Sequence, residues 1–249
     1  MPVNATAPPL ALGQSWIGAD LPGTGRMAES ERVHAAFRAD ILDARLRPGM
    51  PVSEQEGAAR FAVSRTPVRE AILRLAREGL VYVRPQKGTY VSLISLRCLE
   101  ERLFVRQAVE SRVLERVAMR ADRAALAAAL DAILTAQIAA AAAGDFRGVV
   151  DADSRFHYAL VEASGLTGVW NVVAQARDMD QRIRSIAVPD PGRIAVSICE
   201  HQAIAEAVRT GVPERARELM EAHLARNLQV ARAIAERCPA CFEPNDGAA

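Results

Sequence analysis

The sequence has very little lysine, few aromatic residues and no long uninterrupted apolar run. Lys87 is the only lysine among 31 basic residues, so guanidinium groups carry nearly all of the positive charge. Aromatic residues make up 4% of the 249 residues, whereas half of the chain is hydrophobic and alanine is abundant. This composition favours helices, and the length allows two domains that each bury a core.

Features of membrane-bound and exported proteins are also missing. The alanine-rich segment 124–143 is interrupted by Asp131 and Gln137, so we interpret it as a packed helix rather than a membrane span. The N-terminus has no basic region followed by an apolar segment and a cleavage site, so we expect no export signal. Residues 1–26 are rich in Pro, Gly, Ala and Ser without periodicity, which predicts a disordered arm. We therefore expect a cytoplasmic protein that does not interact with a membrane.

Cysteine is scarce, with four residues in the chain. Cys238 and Cys241 form a Cys-Pro-Ala-Cys motif, which is compatible with a redox pair or with half of a zinc site. Because no second motif of this kind occurs, we interpret both as reduced thiols in a flexible tail over residues 238–249.

The net charge of +1 is unevenly distributed. Residues 27–96 contain eleven basic and eight acidic residues, a net charge of +3, and residues 97–249 contain nineteen and twenty-one, a net charge of −2. This mild asymmetry permits a nucleic-acid-binding module in the N-terminal part without proving one.

Residues 27–95 carry the pattern of three helices and a β-hairpin. The first helix starts near Glu29 and stops at Arg47-Pro48-Gly49, and a capping box from Ser53 to Glu56 opens the second. A third helix begins within 64–67 and ends at Gly79, and strands over 80–84 and 89–94 follow. This order predicts a winged helix-turn-helix, whose recognition helix, here the third helix, reads the major groove of DNA.

The first turn of that recognition helix contains two arginines. Arg65 and Arg69 are placed to offer bidentate hydrogen bonds to guanine O6 and N7, and hydroxyl groups beside them suit phosphate oxygens. The alternative is that both arginines are solvated surface charges. The predicted DNA-binding residues, which include the tip of the wing, are Ser64, Arg65, Thr66, Pro67, Arg69, Gln86, Lys87 and Gly88.

This part of the chain resembles the DNA-binding domain of the GntR family of bacterial transcription regulators. The matching segments are Arg47-Pro48-Gly49, residues 64–71 (SRTPVREA), Leu75, Glu78-Gly79-Leu80 and Gly88. Gly57 stands where the family usually has leucine, and Ala62 where the turn usually has glycine. Both departures predict a slightly weaker second helix, since glycine costs about 1 kcal/mol of helix propensity.

From Leu99 onward the whole pattern is helical. Six helices are predicted over about 99–120, 122–143, 146–164, 167–187, 192–210 and 213–237, with glycine or proline at their ends. Short connections favour an antiparallel bundle, so the expected fold is mainly α, with a second domain over residues 98–237.

Three of the four histidines fall on three different helices of this bundle. They are His157, His201 and His223, and Asp153 lies four residues before His157 on the same helical face. If they converge, one carboxylate and three imidazoles make a site for a divalent metal such as zinc, nickel or manganese. The spacing alone does not show convergence, and a single helical histidine is more often a packed or surface residue.

The second domain resembles the FCD effector domain of the FadR subfamily within the GntR family. The matching segments are residues 103–110, Asp153-Ser154-Arg155-Phe156-His157, Glu200-His201-Gln202-Ala203-Ile204 and His223. The resemblance implies that the Asp and His positions are metal ligands, with zinc the preferred ion. Leu166 departs from the family, which usually has asparagine there.

The same resemblance implies a small organic acid effector that binds at the metal with help from arginines. Arg106 and Arg184 are the candidates, with Arg182 behind them, because a guanidinium matches a carboxylate. The alternative is that these arginines pair with Glu110 or Asp180 inside the bundle.

Three functions remain open from the sequence. The first is a homodimeric, ligand-responsive regulator, most often a repressor in this family, on a palindromic operator in double-stranded DNA. The second is a metal sensor, in which the metal itself is the signal. The third is a metal-dependent enzyme, for which Glu200 is the only candidate acid or base that we identify.

Overall fold

The computed structural model describes residues 28–186 and 190–244, so the predicted arm over residues 1–26 lies outside the described part. The elements, in chain order, are α1 Glu29–Leu42, β1 Pro51–Val52, α2 Glu54–Phe61, α3 Arg65–Arg77, β2 Val81–Arg84, β3 Gly88–Val91, α4 Leu96–Ala118, α5 Arg123–Ala142, α6 Phe146–Ala163, α7 Trp170–Ile186, α8 Pro191–Thr210 and α9 Pro213–Arg237. Short 3₁₀ turns cover Thr167–Val169 and Pro239–Cys241. The predicted fold class, a winged helix-turn-helix followed by a helical bundle, is confirmed.

The N-terminal domain packs its helices against a small antiparallel sheet. The strand order is β1-β3-β2, and Arg84 of β2 pairs with Gly88 of β3 at the turn. The apolar stripe of α1 meets that of α3 in one core, and its fully buried members include Val33, Val68 and Leu75. Burying each such side chain contributes about 1.5–3 kcal/mol, which fixes α3 with its N-terminal turn at the surface.

Gly57 and Ala62, the two positions of α2 and its cap that depart from the family pattern, differ in how well the residue suits the structure. Gly57 is buried, and a Cβ atom there would lie 2.8 Å from Cγ1 of Val68 and 2.9 Å from Cζ of Phe37. The ring of Phe37 thus fills space that a larger side chain would need, so packing as well as helix propensity decides this position. Ala62 adopts φ 54° at the C-terminal cap of α2, a conformation that favours glycine.

The C-terminal bundle is built around α4, which packs against α7 and α9, while α5 packs against α6 and α8. Among the described residues, only α5 is long and apolar enough to cross a membrane by length and composition. Leu130 and Leu134 on α5 are buried in the bundle core, and Gln137 is buried with them. These contacts assign α5 to the bundle, as the sequence predicted.

The chain after α9 does not form the predicted flexible tail in its described part, residues 238–244. The N–H of Ile94 donates to the carbonyl of Cys241 at 2.9 Å, and the N–H of Glu243 donates to the carbonyl of Ile94 at 2.8 Å. Phe242 is 5% exposed and packs in a cluster with α4, α7 and α9. The prediction is wrong here because one apolar ring and two backbone hydrogen bonds dock this segment. Cys238 and Cys241 are free thiols with sulfur atoms 2.8 Å apart.

Candidate functional site

Four predicted ligand residues converge inside the bundle. Asp153 and His157 lie on α6, His201 on α8 and His223 on α9. Each offers one ligand atom, and these atoms all lie within 4.8 Å of one another. All four residues are buried, so the sequence spacing and the packing of three helices produce one compact cluster.

Each imidazole of the cluster is held through Nδ1 by a polar side chain from another helix. The pairs are His157 with Glu110 at 2.5 Å, His201 with Gln137 at 3.1 Å and His223 with Glu200 at 2.9 Å. With Nδ1 engaged in this way, Nε2 is the atom that each ring can offer to the cluster. Partners of this kind fix the tautomer and orientation of histidines that bind metals.

Two of these Nε2 atoms have no partner of their own. Nε2 of His157 and Nε2 of His201 are buried and form no hydrogen bond. Oδ1 of Asp153 lies 3.7 Å from Nε2 of His201, beyond hydrogen-bond distance. A buried nitrogen without a partner is costly, and a divalent cation would use both lone pairs. The residues therefore fit a metal ion with three nitrogen ligands and one oxygen ligand.

The electrostatics of the cluster favour the protonation states that a metal requires. Burial lowers the pKa of His157 to about 4, although Glu110 opposes the shift. Burial and the neighbouring His223 hold the pKa of His201 well below its usual value. Burial would raise the pKa of Asp153, but nearby arginines outweigh it and keep this pKa well below its ordinary value. Near neutral pH His157 and His201 are thus neutral and Asp153 is ionised, which are the states that bind a metal.

Two arginines of α7 hold Asp153. Nη2 of Arg177 donates to its Oδ2 at 2.5 Å, and Nη1 of Arg184 donates to the same oxygen at 3.0 Å. The sequence analysis named Arg184 as an effector-binding candidate but did not name Arg177. Since seven residues make two helical turns, Arg177 and Arg184 share one face of α7, and this spacing is a signal that the sequence already contains.

The other two predicted effector arginines lie elsewhere. Arg106 is 1% exposed, and its guanidinium donates to Glu110 at 2.6 Å and to Asp180, so the alternative of an internal ion pair describes it. Arg182 donates to the carbonyl of Ser92 in the N-terminal domain. Two residues along a helix turn the side chain by about 200°, which places Arg182 and Arg184 on opposite faces of α7.

A cavity opens beside the cluster, with Asp153 and His223 in its wall. The space in it that is open to the centre of a water-sized sphere is about 60 Å³. Three arginines from three helices line it, namely Arg184, Arg193 and Arg226. Arg106 and Arg182 do not line it. The cavity is thus open to a small molecule and rich in donors that match carboxylates.

The predicted DNA-binding residues lie on one exposed turn and on the wing. Ser64, Arg65, Thr66 and Arg69 are exposed, Pro67 is half-buried, and Gln86, Lys87 and Gly88 are exposed at the hairpin turn. The hydroxyl of Ser64 makes no capping bond to α3, although Ser64 is the cap residue.

The two arginines of that turn differ in their surroundings. Arg65 donates to Glu54 at 3.3 Å, whereas Arg69 forms no ion pair or hydrogen bond with the described residues. On the wing, Arg84 was missed by the sequence pattern. It is exposed, with its guanidinium carbon 6.0 Å from the ring centre of Tyr82 and 5.9 Å from that of Tyr90. The exposed surface is therefore more basic than the predicted set indicates.

The two domains contact each other through α7. Nη2 of Arg38 on α1 donates to Asp178 at 2.5 Å, and Gln181 donates to Asp43 at 3.2 Å. Burial raises the pKa of Asp178 although Arg38 opposes the shift, so this contact lies away from water. One face of α7 thus holds the cluster, through Arg177 and Arg184, and another holds the N-terminal domain.

Comparison with known proteins identifies both regions. Residues 29–91 match the family described as bacterial regulatory proteins, gntR family, and residues 101–226 match the FCD domain. An HTH-type transcriptional regulator in an unstable DNA locus of Streptomyces ambofaciens is 33% identical over 77% of this chain and 80% of its own length. The HTH-type transcriptional repressor RspR of Escherichia coli is 28% identical over 78% of this chain and 85% of its own.

A solved structure shares the fold. A GntR transcriptional regulator from Rhodococcus sp. RHA1 superposes with a TM-score of 0.70 and is 23% identical, covering 82% of this chain and 98% of its own. This structure therefore has the same arrangement of a winged helix-turn-helix and a helical bundle.

Proposed function

We propose that this protein is a repressor controlled by a metal-anchored organic acid. The chain belongs to the gntR family of bacterial regulatory proteins and carries an FCD domain, so it is a transcription regulator rather than an enzyme. In this proposal a cytoplasmic homodimer binds a palindromic operator through α3 and the wing. RspR, a relative named as a repressor, supports the direction of control.

The observation that carries the effector site is the pair of unpartnered Nε2 atoms of His157 and His201 beside the ionised Asp153. A bound divalent cation, zinc preferred over nickel or manganese, would supply a positive centre with coordination positions left open for a carboxylate. Arg184 lines the adjoining cavity and is the sequence-predicted arginine best placed to contact that acid.

DNA binding would rely on the exposed first turn of α3. Arg69 has no partner in the described part of the chain, so its fork is free for guanine O6 and N7. Arg65 must exchange an exposed contact with Glu54, which costs little in water. Lys87 and Arg84 on the wing would contact phosphates, and such contacts make the affinity depend on salt.

The signal would pass through α7, which contacts the cluster and the N-terminal domain at once. A ligand that shifts Arg184 or Arg177 changes the position of α7, and the Arg38–Asp178 contact carries that change to α1. We expect Asp178→Asn to reduce the effect of the acid on operator affinity while metal content and affinity for the acid in the absence of DNA remain unchanged. An unaltered response would contradict this route.

Elemental analysis and DNA binding test the proposal together. The purified protein should contain close to one divalent ion per chain, and His157→Ala combined with His201→Ala should remove it. Footprinting upstream of the protein's own gene, followed by a screen of organic acids for release, tests the operator and the effector. Unchanged metal content in the double variant would refute the site.

The metal-sensor alternative makes a different prediction. If the metal is the signal, operator affinity follows the free metal concentration and no organic acid is required. A buried ion held by four protein ligands through purification favours the anchoring role instead, since a site of this kind exchanges slowly with the free ion.

A further inference from the structure

Arg193 stands out among the charged residues of the cavity wall because its side chain has no direct partner, although Asp190, Asp153 and Asp180 attract its charge from a distance. It lies in the first turn of α8, is half-buried and lines the cavity beside Arg184. Its guanidinium forms no hydrogen bond and no ion pair with the described residues. Burial and the neighbouring Arg184 lower the pKa of Arg193, so the site disfavours an unaccompanied positive charge here.

The other two arginines of the wall are already neutralised. Arg184 donates to Asp153 at 3.0 Å, and Nη2 of Arg226 lies 2.6 Å from Oε1 of Glu200. Both carboxylates also take part in the proposed metal site, because Asp153 is one of its four ligand residues and Glu200 binds His223. Arg193 is therefore the guanidinium of the wall that has its full bonding capacity left for a ligand.

The balance of charge in the wall indicates how many negative charges a ligand should bring. The charged lining residues are three acids and three arginines, namely Asp153, Asp190, Glu200, Arg184, Arg193 and Arg226. These six charges cancel. A divalent cation in the cluster would thus leave the cavity with a charge of about +2. One carboxylate would lower this charge to about +1, and two carboxylates would neutralise it.

The residues behind the wall do not alter this balance. Arg106 and Arg177 are buried together with Glu110 and Asp180, and these four charges also cancel. The excess positive charge would therefore come from the cation in the cluster, and Arg193 is the arginine beside it that a ligand can bind without displacing a direct partner.

We propose that the effector is an aliphatic dicarboxylate, with one carboxylate at the metal and the second paired with the guanidinium of Arg193. This inference rests on the proposed function and specifies its ligand class. The planar fork of Arg193 can bind a carboxylate through two parallel hydrogen bonds, and partial burial strengthens each of them. A monocarboxylate of equal length would leave Arg193 unpaired, so its affinity should be lower.

The test compares acids of matched length on the zinc-loaded full chain by calorimetry, with succinate against butyrate and glutarate against pentanoate. We expect the better-fitting dicarboxylate to bind about ten to a hundred times more tightly than its monocarboxylate partner. Arg193→Gln should abolish this preference while affinity for the monocarboxylate and the zinc content stay the same. Arg193→Lys, which keeps the charge without the fork, should retain part of the preference.

The control is Arg147→Gln, which removes an exposed positive charge of α6 that does not line the cavity. It should leave the preference intact. Equal affinity for both acids of each pair, or a preference that survives in Arg193→Gln, overturns the dicarboxylate inference while zinc-dependent binding of monocarboxylates upholds the proposed function. If none of the four acids binds the zinc-loaded protein, both the inference and the effector part of the proposed function are refuted.

Discussion

Glu110→Gln tests whether the polar residues around the histidines support a metal or merely pack in the bundle. Oε2 of Glu110 accepts from Nδ1 of His157 at 2.5 Å, and Oε1 accepts from Nε of Arg106 at 2.6 Å. Glutamine keeps the shape but has one acceptor oxygen. Its NH₂ group must therefore face either the N–H of the imidazole or that of the guanidinium, and one of the two contacts is lost.

The expected effect is a tenfold to hundredfold loss of zinc affinity, equivalent to about 1.4–2.8 kcal/mol. Loss of the negative charge adds to the loss of the hydrogen bond, because the carboxylate makes His157 a more basic ligand. The affinity is measured by competition with a chromogenic chelator, and a thermal melt of the metal-free variant shows whether it folds.

Glu200→Gln is the matched control, because Glu200 holds His223 in the same way. Its side chain is 18% exposed whereas that of Glu110 is 3% exposed, so water can replace part of the lost interaction and the affinity should fall less than tenfold. If Glu110→Gln folds and binds zinc as tightly as the wild type, Glu110 does not support the metal through His157 and the role assigned to it is wrong.

Three further predictions concern DNA, packing and pH. Arg69→Ala should cost about 1–3 kcal/mol at the operator and relax base preference, measured by fluorescence anisotropy on operator variants; wild-type binding would contradict the recognition-helix assignment. Gly57→Ala should destabilise the protein by about 1–3 kcal/mol through overpacking despite its better helix propensity, whereas Ala62→Gly should stabilise it by about 1 kcal/mol, both measured by urea denaturation. The opposite signs would refute the packing argument. Because burial lowers the pKa of His157 to about 4, the unfolded metal-free chain binds a proton that the folded chain does not between pH ~6.5 and ~4. Stability should therefore fall as pH decreases through this window, and a denaturation series without such a decline would refute it.

The sequence was sufficient to predict the fold because local signals agree with the tertiary structure. Ser53 caps α2 through the N–H of Glu56, and Gly79 and Gly211 take positive φ where helices end. The proposed metal ligands were predictable in part, since Asp153 and His157 are one helical turn apart. That His201 and His223 join them depends on the packing of three helices, and only the resemblance to the FCD domain pointed to it.

Other features of the site could not be derived from spacing. Arg182 and Arg184 are two positions apart, and the sequence does not state which face of α7 meets the cluster. Arg193 belongs to no sequence motif. Its proposed role follows from the ion pairs that the neighbouring arginines form, which the sequence alone does not show. Phe242 lies in a short polar segment, and its docking beside Ile94 depends on a groove formed by residues distant in the chain.

If an acid at the metal cluster controls DNA binding, its effect on operator affinity must depend on the metal. Operator affinity of the full-length protein is followed by fluorescence anisotropy in the zinc-loaded and the chelated state, with and without a saturating dicarboxylate. We expect the acid to weaken operator binding by about 5–150-fold in the zinc-loaded protein only. An equal shift in the chelated protein, or no shift in either state by an acid that binds the zinc-loaded protein, would contradict it.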